Sequence, residues 1–191
     1  VRKIFPVMIE AARQLLHRNP ALRFRVAAAC EELAREMNEQ LAESHAIEIN
    51  VGETATIMQC AFVGIVASGS ATLEAAYFKM PFVLIYKVAW PTYVAARLVV
   101  NVDFLGMPNL LAGKEVVPEF IQHTAKPEAI VEALRLLMEN PPARDRMISD
   151  FNLVTSKLGG AGASVPAGDV LCHLGDVFAP DFRFTQAAVD R

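Results

Sequence analysis

Four short apolar segments alternate with helical segments along the first half of the chain, and this alternation constrains the fold more than any other feature. The predicted strands are residues 22–29, 47–51, 62–67 and 82–86. The helices predicted before them are residues 1–14, 31–43, 54–60 and 71–78. The stop signal for the first helix is Asn19-Pro20, because the residue before a proline is pushed out of the helical region. Short connections between alternating helices and strands require right-handed parallel crossovers. The sequence therefore predicts an α/β fold, a Rossmann-like parallel sheet with helices on both faces.

The second half of the chain is predicted to be less regular. An irregular loop at residues 103–118 is expected to separate one helix from three later ones. The predicted helices are residues 92–100, 127–139, 142–157 and 165–174, with a glycine-rich link at 159–168. Beyond Gly175 no apolar period continues. We therefore expect one domain at residues 1–175 and an unassigned tail at 176–191.

Composition and charge exclude several classes of protein. The 191 residues are 53% hydrophobic and 20% charged, which suits one sizeable core and excludes a disordered chain. A net charge of −3 provides no electrostatic basis for a nucleic-acid partner. The three widely spaced cysteines are typical of reduced thiols in a cytosolic protein. Because no CxxC pair, HxxxH pair or acidic metal motif is present, we expect neither a metal ion nor a cofactor.

One uncharged stretch, residues 54–73, is long enough to span a bilayer. Polar residues and glycines interrupt it, among them Gln59, Gly64 and Ser68. A helix, a buried strand and a turn explain this stretch better than a membrane span does.

The turn after the third predicted strand, Ser68-Gly69-Ser70, is the first candidate for chemistry. Ligands of open α/β sheets bind beyond the carboxyl ends of the strands. Gly69 allows close approach of the backbone, Ser70 can cap the helix or donate to an anion, and Glu74 can accept hydrogen bonds from ribose hydroxyls. From spacing alone, an equally good interpretation is that Ser70 only caps the helix and Glu74 only complements its dipole.

The predicted loop at residues 103–118 supplies a second candidate. Asn109 and Lys114 can contact an anionic or sugar ligand there, since long loops in compact domains are often functional. The alternative is a turn-forming asparagine and a solvated lysine.

Several segments together resemble one enzyme family. They are residues 66–76 (VASGSATLEAA), 81–87 (PFVLIYK), 91–98 and 108–122 (PNLLAGKEVVPEFIQ). In order and content, from Val1 to about Leu174, they resemble lipid-A-disaccharide synthases. The block 108–122 is specific to that family, whereas the Ser-Gly-x-x-x-x-Glu turn is shared with other glycosyltransferases of the two-domain GT-B architecture.

The resemblance implies an inverting transfer in lipid A biosynthesis. A 2,3-diacylglucosamine unit would pass from its UDP donor to 2,3-diacylglucosamine 1-phosphate, giving lipid A disaccharide 1-phosphate and UDP. This chain resembles the carboxy-terminal half, which holds the donor, while the other half holds the acceptor and an unidentified general base. The substrate-binding residues implied here are Ser68, Gly69, Ser70, Glu74, Asn109, Lys114 and Gln122. Ser70 replaces the usual threonine, and Lys87 and Lys114 replace arginines that can grip a diphosphate with two hydrogen bonds.

The resemblance also has consequences for assembly and location. The strand before Val1 would lie between residues 22–29 and 62–67, so two strand edges would face a gap, and the chain would either be part of a longer polypeptide or self-associate. The fragment alone is expected to be inactive. Location would be cytoplasmic, with peripheral contact to the inner membrane through residues 86–100, unless that segment packs on its own sheet. The alternative within the same architecture is the nucleotide-binding half of a UDP-sugar epimerase, and the alternative from another class is a non-catalytic nucleotide-binding or interaction domain.

Overall fold

The computed structural model describes residues 2–41, 46–87 and 104–158, and the backbone of residues 185–190. Seven helices and six strands lie in these ranges, together with a single 3-10 turn at Gln122–Thr124. The helices are α1 Phe5–Arg18, α2 Glu31–Gln40, α3 Thr54–Cys60, α4 Ala71–Tyr77, α5 Met107–Ala112, α6 Pro127–Glu139 and α7 Pro141–Lys157. The strands are β1 Arg23–Ala28, β2 Ile47–Val51, β3 Val63–Ala67, β4 Phe82–Tyr86, β5 Glu119–Ile121 and β6 Thr185–Asp190.

The strands form one sheet in the order β2-β1-β6-β3-β4-β5. The pairs β1–β2, β3–β4 and β4–β5 are parallel, whereas β6 is antiparallel to both of its neighbours. Five strands therefore end at the same side of the sheet, which we call the carboxyl edge. The predicted Rossmann-like parallel sheet is confirmed, with one antiparallel exception.

The apolar runs form the middle of the core. Every residue of β3 and the first four residues of β4 are buried, as expected for parallel strands that are covered on both faces. On β4, Phe82 stacks on Phe151 of α7 with ring centroids 5.6 Å apart. Arg144, also on α7, lies 3.9 Å from the centroid of the Phe62 ring and donates to the Phe62 carbonyl. These contacts fix α7 against the sheet.

The contacts between helices fall mainly into two groups, which are joined where α6 packs on α7. In one group α1 packs on α6, and a 2.6 Å ion pair between Arg2 and Glu36 joins the start of α1 to α2. In the other group α4 contacts α3, α5 and α7. The prediction of helices around the sheet is confirmed.

The loop expected at residues 103–118 contains a short helix, α5, so the prediction of an irregular loop is wrong there. Pro108 lies in the first turn of α5, and Gly113 ends the helix with φ +70° while its N–H donates to the Asn109 carbonyl at 2.8 Å. The strand β5 and the 3-10 turn that follows it were not predicted. The helices predicted at 92–100 and 165–174 lie outside the described residues.

The expected gap between the first and third predicted strands is filled. Strand β6, from the tail that the sequence left unassigned, pairs with β1 along its whole length and with β3 from Val63 to Val66. The expectation that two strand edges face a gap is therefore wrong. An extended segment of almost any sequence can satisfy such edges, because the pairing uses backbone N–H and C=O groups.

Within the described parts of the chain, no helix has both the length and the apolar character needed to cross a bilayer.

Candidate functional site

The carboxyl edge brings together residues that are far apart in the sequence. Ser68 directly follows β3, Lys87 directly follows β4, and Gln122 directly follows β5. Gln122 has φ +50°, a left-handed conformation that is uncommon outside glycine. The edge therefore holds a turn, a cation and an amide, contributed by three adjacent parallel strands.

The turn after β3 is held by its own backbone. The Ser68 N–H donates to the Ile85 carbonyl at 3.0 Å, and the Thr72 hydroxyl donates to the Gly69 carbonyl at 2.7 Å. Gly69 has φ +143°, which residues with a side chain rarely adopt. The sequence thus forms a rigid turn whose shape depends on Gly69.

The donors of this turn remain available. Within the described residues, the N–H groups of Gly69, Ser70 and Ala71 donate to no acceptor. The Ser70 side chain makes no capping hydrogen bond although the residue is only 4% exposed. The interpretation of Ser70 as a simple helix cap is not supported by this geometry. The turn can therefore offer an anion these three backbone N–H groups and the Ser70 hydroxyl.

Glu74 lies one turn further along α4 and is partly buried. No hydrogen bond or ion pair to its carboxylate occurs within the described ranges. Burial raises the pKa of Glu74 above its usual value, because the charged form loses hydration without gaining a partner. A carboxylate in this condition is suited to accept hydrogen bonds from ligand hydroxyls.

Tyr86 ends β4 at the same edge. Burial raises the pKa of its phenol, so the side chain stays neutral and protonated at physiological pH.

Asn109 lies away from this edge. It is a fully buried residue of α5, and its side chain makes four hydrogen bonds. The amide oxygen accepts from the N–H groups of Val116 and Val117 at 2.7 and 2.9 Å. The amide nitrogen donates to the Val117 carbonyl and to Glu119 Oε1, both at 2.8 Å. Because the capacity of an asparagine side chain is then exhausted, Asn109 supports the fold here, and direct contact with a ligand would require some of these bonds to break.

Glu119, at the start of β5, is a residue that sequence reasoning missed. One carboxylate oxygen accepts from the Leu105 N–H at 2.9 Å. The other accepts from the Gly106 N–H and from Asn109, both at 2.8 Å. The only signal in the sequence is its place within the block 108–122.

Lys114 lies on the surface beside α7. Its ammonium group is 2.8 Å from Asp150 Oδ1, and the Lys114 side chain is 57% exposed. The structure therefore brings Ser68, Gly69, Ser70, Glu74 and Gln122 into the vicinity of one sheet edge. It does not place Asn109 and Lys114 there in the described conformation.

No group of three His, Cys, Asp or Glu side chains suited to a metal ion occurs among the described residues.

Comparison with known proteins identifies the family. The sequence profile of the family described as lipid-A-disaccharide synthetase matches residues 1–157. The lipid-A-disaccharide synthase of Neisseria meningitidis serogroup A is 36% identical over 174 residues, which are 89% of this chain and 45% of that protein. The enzyme of the same name from Paraburkholderia xenovorans is 43% identical over 133 residues, covering 68% of this chain and 34% of the relative. That of Anaeromyxobacter dehalogenans is 31% identical over 165 residues, covering 85% and 43%. This chain thus spans less than half the length of each relative, and it belongs to the lipid-A-disaccharide synthetase family.

Proposed function

We propose that this chain is the donor-binding half of an inverting glycosyltransferase of lipid A biosynthesis. The complete enzyme would transfer 2,3-diacylglucosamine from UDP to 2,3-diacylglucosamine 1-phosphate, releasing UDP and lipid A disaccharide 1-phosphate. The name of the relatives, lipid-A-disaccharide synthase, supports this reaction.

The observation that carries the proposal is the pairing of the Ser68–Ser70 turn with Glu74 at the carboxyl edge. Among the described residues, the N–H groups of the turn have no acceptor, and one helical turn away the Glu74 carboxylate has no donor. A nucleoside diphosphate has the complementary pattern, an anionic diphosphate and a ribose with two adjacent hydroxyls. The diphosphate would lie against the turn and the ribose against Glu74.

The chemistry of the leaving group follows from this placement. Negative charge develops on UDP as the glycosidic bond breaks, and fixed N–H donors stabilise such charge without reorganising. Lys87 at the end of β4 adds a positive charge to the same edge. The general base and the acceptor site would belong to the other half of the enzyme.

We also propose that the enzyme works at the cytoplasmic face of the inner membrane as a peripheral protein. Its lipid substrates carry acyl chains that favour a bilayer. Of the segment 86–100, to which the sequence analysis assigned the membrane contact, residues 88–100 lie outside the described residues.

Calorimetric titration with UDP tests the nucleotide site. Glu74→Ala should weaken UDP binding by about 1.5 to 3 kcal/mol, the range for a hydrogen bond to a charged group. The matched control is Glu32→Ala, which removes an exposed acid from the first turn of α2, the helix after β1. Equal affinity in the two variants, both folded, would rule out the assignment of Glu74.

The reaction itself is tested on the full-length enzyme with both lipid substrates. Formation of the disaccharide and UDP is the expected result. Epimerised UDP-sugar without disaccharide would favour the epimerase alternative, and UDP binding without any turnover would favour a non-catalytic domain.

A further inference from the structure

Glu119 joins β5 to α5 and to the segment just before α5. Its carboxylate accepts the N–H groups of Leu105 and Gly106 just before α5, and the side-chain amide of Asn109 within α5. Asn109 in turn holds residues 116 and 117, which lead back to Glu119. The result is a closed ring of hydrogen bonds from residue 105 to residue 119, which we call the Glu119 ring.

The Glu119 ring leaves no room for a side chain at position 106. A Cβ atom added to Gly106 would lie 3.0 Å from Glu119 Oε1 and 2.7 Å from Leu84 Cδ1. The carboxylate therefore approaches the backbone closely because position 106 has no side chain. Leu84 is itself fully buried and pairs with Glu119 across β4 and β5.

The strand β5 connects this ring to the carboxyl edge. It is only three residues long, with Glu119 at one end and Gln122 immediately beyond the other. Its residues pair with Leu84, Ile85 and Tyr86. A displacement of Glu119 would therefore be transmitted to Gln122, since no loop lies between them to absorb it.

We propose that Glu119 is a positioning residue that places Gln122 for the nucleotide-sugar donor. The identity of the ligand in this inference rests on the proposed function. The structural connection from Glu119 to Gln122 is independent of that function. Glu119 would not touch the ligand. It acts by fixing the start of β5 against α5, and thus the position of Gln122 at the carboxyl edge.

The substitution Glu119→Gln tests the ring with little change in shape. A glutamine amide has one acceptor oxygen, so at least one of the donors on Leu105, Gly106 and Asn109 must face an NH₂ group. The control is Glu115→Gln, because Glu115 is an exposed acid in the same segment. The ligand-free readout is the amide NMR spectrum and hydrogen exchange of the 191-residue chain. Glu119→Gln should speed exchange at Leu105 and Gly106 and shift the Gln122 resonances, whereas Glu115→Gln should do neither.

The ligand readout is a double-mutant cycle on UDP affinity. Glu119→Gln alone should raise the UDP dissociation constant about tenfold, equivalent to about 1.4 kcal/mol. In a Gln122→Ala background it should have almost no further effect, since both changes remove the same contact. In a Glu74→Ala background its effect should stay about tenfold, because Glu74 belongs to a different element.

The outcomes separate the two proposals. Additive effects of Glu119→Gln and Gln122→Ala, or unchanged Gln122 resonances in Glu119→Gln, would overturn the assignment of Glu119. Absence of UDP binding in the wild-type chain would instead count against the proposed function, and the resonance shifts of Gln122 would then decide the positioning role alone.

Discussion

Glu74 is the residue at which function and stability are expected to conflict. Its carboxylate is partly buried and has no partner in the part of the chain that the structure describes, and burial raises its pKa above the usual 4.5. The folded chain therefore keeps the proton to a higher pH than the unfolded chain does. The stabilising contribution of the protonated group is complete below the unfolded pKa and is lost as the pH rises through the folded pKa. At neutral pH the residue costs stability.

We therefore expect Glu74→Gln to melt at a higher temperature than the wild-type chain at neutral pH. The advantage should disappear below about pH 4, where both side chains are neutral. UDP affinity should change in the opposite sense, falling in the variant and, in the wild type, falling as acid protonates Glu74. Melting curves and titrations across this pH range provide the measurement. A variant that is less stable at neutral pH would show that Glu74 has a structural partner.

Lys114 has two candidate roles, an ion pair with Asp150 and a contact with the donor, and substitution of Asp150 distinguishes them. Its ion pair with Asp150 is exposed, so its loss should change the free energy of unfolding by no more than about 1 kcal/mol. If Lys114 also contacts the donor, Lys114→Ala should lower UDP affinity and turnover, while Asp150→Ala should not. Equal effects of the two variants on affinity would mean that the ion pair, and not the cation, matters.

Asn109 is expected to be far more important for folding than for contact with the ligand. Asn109→Asp places carboxylate oxygens against the Val117 carbonyl and Glu119, where the amide donated before. We expect a loss of more than about 3 kcal/mol in the free energy of unfolding, since two buried bonds are lost and two acids face each other. Urea denaturation measures this loss, with the exposed Asn152→Asp on α7 as the control. A small difference between the two variants would contradict the structural role.

At the scale of elements, α5 depends on how closely it approaches β4. Gly106→Ala should destabilise the chain by about 1 to 3 kcal/mol, the usual cost of an added methyl group in a packed region. The reason is the 2.7 Å distance from the new Cβ to Leu84 Cδ1. Shortening Leu84 to alanine should cost less in the Gly106→Ala background than in the wild type, as denaturation of the four chains would reveal. If the costs of Gly106→Ala and Leu84→Ala simply add, the strain does not arise from the contact between these two residues.

The elements also differ in how well the sequence predicts them. The runs that became β3 and β4 are apolar throughout, so local composition was sufficient to locate them within a residue. Strand β5 has only three residues, and its pairing with β4 is a tertiary contact that no local pattern announces. Helix α5 has only six residues within a segment predicted to be an irregular loop, with Pro108 in its first turn and Gly113 directly after its last residue.

In the candidate site, too, some features can be predicted from the local sequence and others depend on tertiary contacts. A turn after a buried strand could be located from the sequence, because the carboxyl ends of parallel strands share one edge. The four bonds of Asn109 and the three of Glu119 depend on contacts that only the folded chain creates. The contacts of these residues with a ligand remain predictions.

At the scale of the whole molecule, β6 joins two parts of the sheet. One part is β1 with β2, and the other is β3 with β4 and β5. A further link between these parts is the packing of α1 on α6, which includes a 2.8 Å ion pair between Arg18 and Glu132. That pair is exposed, and Arg18 lowers the pKa of Glu132 through its hydrogen bond.

Proline at the centre of β6 tests this link. Ala187 pairs with Val26 on one side and Ile65 on the other, and Ala187→Pro removes an N–H from the ladder. We expect a lower melting temperature and self-association through the freed strand edges, as measured by light scattering. Ala161→Pro, outside the described residues and outside β6, is the control. A monomeric Ala187→Pro chain with unchanged melting would show that the sheet does not need β6.

The position of β6 also has a consequence for synthesis on the ribosome. Among the described elements it is the last to be translated, yet it occupies the middle of the sheet. Until it emerges, the other described strands form a two-stranded piece and a three-stranded piece, and the edges that β6 pairs with have no other partner among the described strands. Final closure joins segments that are distant along the polypeptide, and such long-range pairing is slow and exposes partly folded chains to aggregation. Among the described strands, one of the two at the centre of the sheet is thus the last to become available for pairing.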